Sequence, residues 1–183
     1  MGASQTDCTA LFVSGTVGVG KTSAASAVGA WLAERGVPHA VIDLDSLRRC
    51  WPSPPSDPFN SAIELVNLRC VARTYRSHGA RRLVIAGVIE RPSARLAYEE
   101  AIGVPLTVCR LRADFHVVSG RLAQRHDGDE ASLTWHLGRF AQLDKILELA
   151  ALEDFTVDVG EAGIPGVAAA IIQGAGWDRE PGP

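Results

Sequence analysis

The chain is expected to fold as an α/β protein, a parallel sheet covered by helices. Three observations predict this. Apolar strand-like runs alternate with helix-like segments along the chain. One run, LVIAGVI from Leu83 to Ile89, carries no polar residue, as a strand buried on both faces tends to. The first run is followed by a glycine-rich turn and then a helical segment, the order that opens a βα unit.

The elements follow in order. The first strand is expected near Ala10 to Ser14. A helix from about Gly20 to Arg35 comes next, closed by Gly36 and Pro38 as helices commonly are. His39 to Asp43 (HAVID) reads as the second strand. Trp51 to Pro58 (WPSPPSDP) has four prolines in eight residues and reads as a rigid loop. A helix is expected over Ser61 to Ser77 with a moderate apolar stripe of Ile63, Val66, Cys70, Val71 and Thr74, ended by Gly79. Leu83 to Ile89 is strand three, Pro92 opens a short helix to Ile102, and Leu106 to Leu111 is strand four. Asp114 is placed to cap a helix running to Arg125. His126 to Ser132 is polar and acidic and reads as a loop. A long helix over Leu133 to Leu152, a fifth strand over Phe155 to Val159 and a helix over Ile164 to Gln173 complete the pattern. Residues 175–183 read as a loose tail.

At 183 residues the chain has the length of one domain, taken as 1–183. Hydrophobic residues make up 46% and charged residues 21%, which argues against a mainly disordered chain. The net charge of −3 and a pI near 5.9 argue against a nucleic-acid partner and a polybasic membrane anchor. No apolar run approaches the roughly 20 residues of a membrane span. MGASQTDCTA lacks the charged and apolar regions of a secretory signal, although Gly2 and Thr6 loosely fit a myristoylation pattern. Cys8, Cys50, Cys70 and Cys109 are dispersed, with no C-x-x-C pair. Buried reduced thiols in a cytoplasmic protein are expected, and a zinc site is not. Sixteen of the 18 basic residues are arginine, so Lys21 and Lys145 stand out.

Lys21 falls in the segment that carries chemistry. LFVSGTVGVGKTSAA contains G-x-x-x-x-G-K-[ST] as Gly15, Gly20, Lys21 and Thr22. Glycines let successive backbone N–H groups approach a polyphosphate, and the following helix sets its positive end on the same anion. Lys21 would reach the β- and γ-phosphates, and the Thr22 hydroxyl would ligate Mg²⁺. An apolar strand before the loop and a helix-forming segment after it supply the context such a loop needs. A slim ammonium is required there, and a planar guanidinium is a poor substitute.

VIDLDSL ends the second strand, where side chains project beyond the carboxyl edge of an open sheet towards the same cleft. Of Asp43 and Asp45, one carboxylate can hold a metal-bound water while the other accepts a proton from an attacking hydroxyl. Asp45 has an alternative role as the N-cap of the short helix SLRRCW. Arg121 and Arg125 lie four apart on one helix face before the polar loop, and Arg139 follows on the next helix. Guanidiniums there would neutralise a transferring phosphoryl group, and the loop could close as a lid. The bland reading is a solvated arginine face. Weaker candidates are Glu90 and Arg91 at the end of strand three, Arg48, Arg49 and Trp51 after the D-x-D, and Arg69 and Arg73 on the facing helix. His136, beside Trp135, reads as a helix-surface or packing residue and not as a catalytic base.

With these residues in view, the chain from about Leu11 to Val159 resembles the small P-loop kinases, the group of adenylylsulfate, shikimate and gluconate kinases and chloramphenicol phosphotransferase. SGTVGVGKT, DLDSL and R-x-x-x-R before a short lid carry the likeness. The D-x-D resembles shikimate kinase. D-S-L-x-x-x-W-P resembles chloramphenicol phosphotransferase, in which the Asp here is taken as the base for the substrate hydroxyl. ARTYRSHG, a strand, then IERPSAR are similar to adenylylsulfate kinase. The resemblance implies a three-layer P-loop NTPase fold with a five-stranded parallel sheet in the order 2-3-1-4-5 and a lid at about 121–135. It implies ATP and Mg²⁺, with Gly15, Thr16, Val17, Gly18, Val19, Gly20, Lys21, Thr22 and Ser23 around the nucleotide and Thr22 and Asp43 at the metal. Lys21, Asp45, Arg121 and Arg125 would be catalytic, and Arg121 or Arg125 would stack on adenine. Asp43, Asp45, Arg48, Trp51, Arg69, Glu90 and Arg139 would meet the acceptor.

The chain also departs from the group. LVIAGVIE has no Walker B aspartate, and both the shikimate-type G-G-G and the adenylylsulfate-type D-G-D-N-x-R are missing. No single acceptor is therefore implied. The expected function is phosphotransfer from ATP to a hydroxyl of a nucleoside, sugar or antibiotic-like alcohol, by a monomer or homodimer. The alternative is a regulatory P-loop ATPase without a small-molecule acceptor.

Overall fold

The computed structural model describes residues 8–160 and 163–179. β1 (Thr9–Gly15), β2 (His39–Asp43), β3 (Arg82–Ala86), β4 (Leu106–Arg112) and β5 (Phe155–Asp158) form one parallel sheet in the order β2-β3-β1-β4-β5. α1 (Lys21–Glu34), α2 (Leu44–Leu47), α3 (Ser61–Ser77), α4 (Pro92–Ile102), α5 (Phe115–Arg125) and α6 (Glu130–Ala150) connect the strands, and α7 (Gly163–Gly174) follows β5. This is the strand order the resemblance implies.

Side chains alternate across a strand, so the central strand β1 feeds two cores. Leu11 and Val13 join Val84 and Leu111 against Val28 and Leu32 of α1 and Ile171 of α7. Ala10 and Phe12 join Ile85 and Val108 against Leu68 of α3 and Ile102 of α4. Each large apolar side chain buried in this way contributes about 1.5–3 kcal/mol relative to exposure. A one-residue slip would exchange the two faces, so this burial fixes where the loop after β1 begins.

Several elements differ from expectation for identifiable reasons. The buried face of α3 is Glu64, Leu68 and Ala72, not the expected stripe. Val66 is 57% exposed and Cys70 is also exposed. A buried carboxylate begins the true stripe and disguises it. β3 ends at Ala86, where Gly87 leaves the sheet beside Phe12 and donates to the Val13 carbonyl at 3.2 Å. α6 starts at Glu130 because the Asp129 carboxylate accepts from the Ser132 N–H at 3.0 Å and the Ser132 hydroxyl at 2.6 Å. Asp114 precedes α5 as expected but makes no side-chain capping bond. Within the stretch expected to be a loose tail, Trp177 packs into the core beside α1 and α7 under the Arg82 guanidinium, 5.4 Å away. All four cysteines are free, but of these only Cys109 is buried. Gly2 and Thr6 lie outside the described residues, as does the tail from 180. Among the described residues no helix is long and apolar enough to cross a membrane.

Two features set the α5–α6 helical hairpin in place. Val118 and Leu122 of α5 pack with Phe140 of α6 and with Val17 of the loop after β1. Arg110 of β4, 3% exposed, donates to Asp144 and Glu148 of α6 at 3.3 and 3.1 Å and to Glu153 at 3.4 Å. No local sequence pattern marks this cluster, whose members lie 34 or more residues from Arg110 along the chain. It ties the long helix to the sheet and so sets the height of Trp135, His136 and Arg139 above it.

Candidate active site

The loop from Gly15 to Lys21 takes backbone angles that suit glycine. Gly15, Gly18 and Gly20 have φ of 150°, 76° and 104°, and a Cβ on Gly15 would meet the Leu111 carbonyl at 2.8 Å. Gly20 is the N-cap of α1. The free N–H groups of the first helical turn and the helix dipole therefore face the loop, as an anion site requires. Lys21 Nζ reaches back to donate to the Thr16 carbonyl at 2.9 Å. Burial pushes the Lys21 ammonium down to about 8, a shift opposed by the nearby Asp45 and Asp43 and reinforced by Arg48 and Arg125.

Asp43 and Asp45 divide their work. Asp43 Oδ2 accepts from the Thr22 hydroxyl at 2.7 Å, and Oδ1 accepts from the Asp45 N–H at 2.9 Å, making Asp43 the N-cap of α2. The cap is thus Asp43, which overturns the alternative role for Asp45. With both oxygens engaged, Asp43 does not line the acceptor-side cavity expected to include it. The Asp45 carboxylate is 72% exposed, lies 3.5 Å from Arg48 Nε and borders that cavity.

Thr22 and Asp43 form an oxygen pair at the head of α1 that suits Mg²⁺. The Thr22 hydroxyl spends its proton on Asp43 and keeps lone pairs for a hard cation. No group of three or more His, Cys, Asp or Glu side chains at metal-binding spacing occurs among the described residues. Mg²⁺ needs none, because it is usually held by one or two protein oxygens, waters and substrate phosphates.

Cavities flank the loop on two sides. One, of about 280 Å³, is bordered by Gly18, Gly20, Ser23, Arg121, Arg125 and Ile164. Arg121 Nη1 donates to the Val19 carbonyl at 3.2 Å. The other, of about 610 Å³, is bordered by Val17, Lys21, Asp45, Arg48, Glu90 and Arg139, with an apolar wall described below. The expected lid thus comprises the last turn of α5, a short turn and the start of α6.

In the larger cavity Arg48 and Arg139 are paired. Arg139 Nη2 donates to Glu90 Oε1 at 2.6 Å, and the Arg139 guanidinium lies 5.1 Å from the Phe59 ring centre. Arg48 forms an ion pair with Glu64, which is 1% exposed and accepts from the Tyr98 hydroxyl at 2.6 Å. Burial pushes the Glu64 carboxyl up, while Tyr98 and Arg48 pull it back. Burial, and then Glu64, push the Tyr98 hydroxyl up, which keeps it a donor. Asn60 secures the chain from α2 to α3 by donating to the Arg48 and Cys50 carbonyls at 2.9 and 2.8 Å.

Glu64, Tyr98, Phe59 and Asn60 were not anticipated. For Glu64 a signal existed, since 64, 68 and 72 share a helical face. Two expected acceptor residues lie elsewhere. Trp51, next to the Cys50 whose carbonyl Asn60 holds, is 90% exposed. Arg69 is exposed one helical turn beyond Leu65, the last α3 residue that borders the cavity. Neither borders the cavity.

No protein-family model matches the chain, and no curated protein sequence matches it. Solved structures do. The tunicamycin resistance protein of Deinococcus radiodurans superposes with a TM-score of 0.66 at 20% identity, covering 92% of this chain and 96% of that one. A gluconokinase of Sinorhizobium meliloti gives 0.60 at 18% identity, covering 92% of each chain. Shikimate kinase of Acinetobacter baumannii gives 0.61 at 13%, covering 94% and 95%. With strand order, loop geometry and these superpositions together, the chain has the fold of the P-loop small-molecule kinases.

Proposed function

We propose that the protein is a phosphotransferase that moves the γ-phosphoryl group of ATP to a hydroxyl of a small molecule. One observation carries this reading: the P-loop separates two cavities, and Lys21 borders the one that holds Asp45. A donor bound over Gly18 and Gly20 would direct its γ-phosphate past Lys21 towards an acceptor beside Asp45. The kinase names among the structural neighbours agree with it. A regulatory ATPase would have no use for the second cavity.

The residues take defined parts. Backbone N–H groups of Gly15 to Ser23 cradle the phosphates, and Lys21 exchanges the Thr16 carbonyl for phosphate oxygens. Arg121 and Arg125 stand over the nucleotide, neutralise charge on the transferring group and offer a planar face to adenine. The Asp45 carboxylate takes the hydroxyl proton as the acceptor oxygen bonds to the γ-phosphorus. The bond from that phosphorus to the bridging oxygen breaks, and ADP leaves with the electron pair. Thr22, with Asp43 behind it, would hold Mg²⁺, which would supply neutralisation of phosphate charge. Arg48 holds Asp45 from the side, and Glu90 and Arg139 shape the acceptor wall. The chain would act as one domain in the cytoplasm, as a monomer or homodimer.

A coupled assay for ADP release over nucleosides, sugars, amino alcohols and antibiotic-like alcohols tests the reading. Acceptor-dependent ADP release that is lost in Asp45→Asn supports it. ADP release that no acceptor raises would sink it.

A further inference from the structure

The acceptor-side cavity carries more information about its occupant. Lys21 is committed to the donor phosphates. Arg48 and Arg139 already hold carboxylates, Glu64 and Glu90, and their side chains are only 25% and 15% exposed. An acidic acceptor would have to displace one of these carboxylates. In the case of Arg48 that would strand Glu64, which has no route to water, and an unpaired buried charge is strongly unfavourable. The remaining cation on the wall, Arg91, is solvent-exposed, where an ion pair is worth little. Most of the remaining wall is apolar or aromatic, with Phe59, Leu65, Ala97, Trp135 and Leu143 among others, and its polar points, Ser61, Ser93 and His136, add no arginine or lysine. Phe59 and Trp135 are 45% and 55% exposed, large rings left open at the cavity. A volume of about 610 Å³ is that of a site for a drug-sized molecule.

Resting on the phosphotransfer reading, we infer that the acceptor is an uncharged hydroxyl compound with an aromatic or other flat apolar body, and that the Glu64–Arg48 and Glu90–Arg139 pairs exclude carboxylate-bearing analogues. Phe59 and Trp135 take the flat body. Asp45 takes the hydroxyl. The paired arginines supply directional N–H groups without net charge. Specificity then comes from what the site refuses as much as from what it holds.

The test uses two matched pairs that differ by one carboxylate: uridine against orotidine, and 1-phenylpropane-1,3-diol against 3-hydroxy-3-phenylpropanoate. Binding is measured by calorimetry on the full chain with a non-hydrolysable ATP analogue and Mg²⁺ present, so the readout does not depend on turnover. In at least one pair the neutral member should bind about tenfold or more tightly than the acid. Glu90→Gln, which releases Arg139, should narrow that ratio or reverse it. Equal or tighter binding of both acids, or no binding of any of the four at millimolar concentration, overturns the inference. Neutral preference without ADP release under any acceptor would leave this inference standing and defeat the phosphotransfer reading instead.

Discussion

The two sides of the P-loop treat their cations in opposite ways. The two cations expected to meet the donor phosphates, Lys21 and Arg121, donate to the backbone carbonyls of Thr16 and Val19. Those bonds position the side chains but leave their charge available. On the acceptor side, Arg48 and Arg139 are held by Glu64 and Glu90, which position them and cancel their charge. The same residue type thus serves attraction in one place and shape in the other. Partner identity, not the count of arginines, decides which side receives anions.

Substitutions can break each side separately. The largest effect is expected from Asp45→Asn, which should lower kcat by about 10²–10⁴ while ATP affinity stays within about twofold. Steady-state kinetics with nucleotide titration would check this, and an unchanged kcat would demote Asp45. Lys21→Ala should lower kcat/KM by about 10²–10³ with the circular dichroism spectrum retained, because it removes a preorganised charge at the transferring group. Arg121→Ala should weaken ATP binding about tenfold and leave the acceptor KM unchanged, whereas Arg139→Gln should do the reverse. That crossed pair is the sharpest check on the division between the sides.

A pH titration probes Lys21. The ammonium form of Lys21 binds phosphate, and burial holds its free-state pKa near 8. Below that pH the charge is already present. Above it, binding must take up a proton, so affinity for a non-hydrolysable ATP analogue should fall with rising pH by up to about tenfold per unit. Calorimetry on the protein and on Lys21→Ala should show the slope only in the former. The smallest effect is on stability: Tyr98→Phe removes a donor from buried Glu64 and should cost about 1–3 kcal/mol in denaturant unfolding.

The nucleotide side was legible because its determinants are local. Gly15, Gly20, Lys21 and Thr22 lie within eight residues, and their spacing is dictated by backbone geometry. The strand order came with the resemblance, and alternating apolar runs fixed the elements to within a few residues. The acceptor side was legible only in part. Asp45, Arg48, Glu90 and Arg139 were singled out and do border one cavity, but what each pairs with was not anticipated. Glu64 and Tyr98 are 34 residues apart, and Glu90 and Arg139 are 49 apart. Nothing local announces such pairings. Trp51 was misplaced because an aromatic after the D-x-D suggests a pocket wall, whereas Phe59, beyond the prolines, occupies that place. Glu64 was hidden because a charged residue at a helix's core position runs against the apolar pattern used to find the core.

The central claim is that ATP on one side of Lys21 phosphorylates an uncharged hydroxyl compound on the other. Its most direct test is a mass-spectrometric screen of a mixed library of neutral and acidic hydroxyl compounds incubated with the protein, ATP and Mg²⁺, run in parallel with Asp45→Asn. A gain of one phosphoryl group on a neutral compound, absent with Asp45→Asn, is the expected result. Phosphorylation confined to acidic compounds, or ATP hydrolysis at the same rate with and without the library in both proteins, would contradict it.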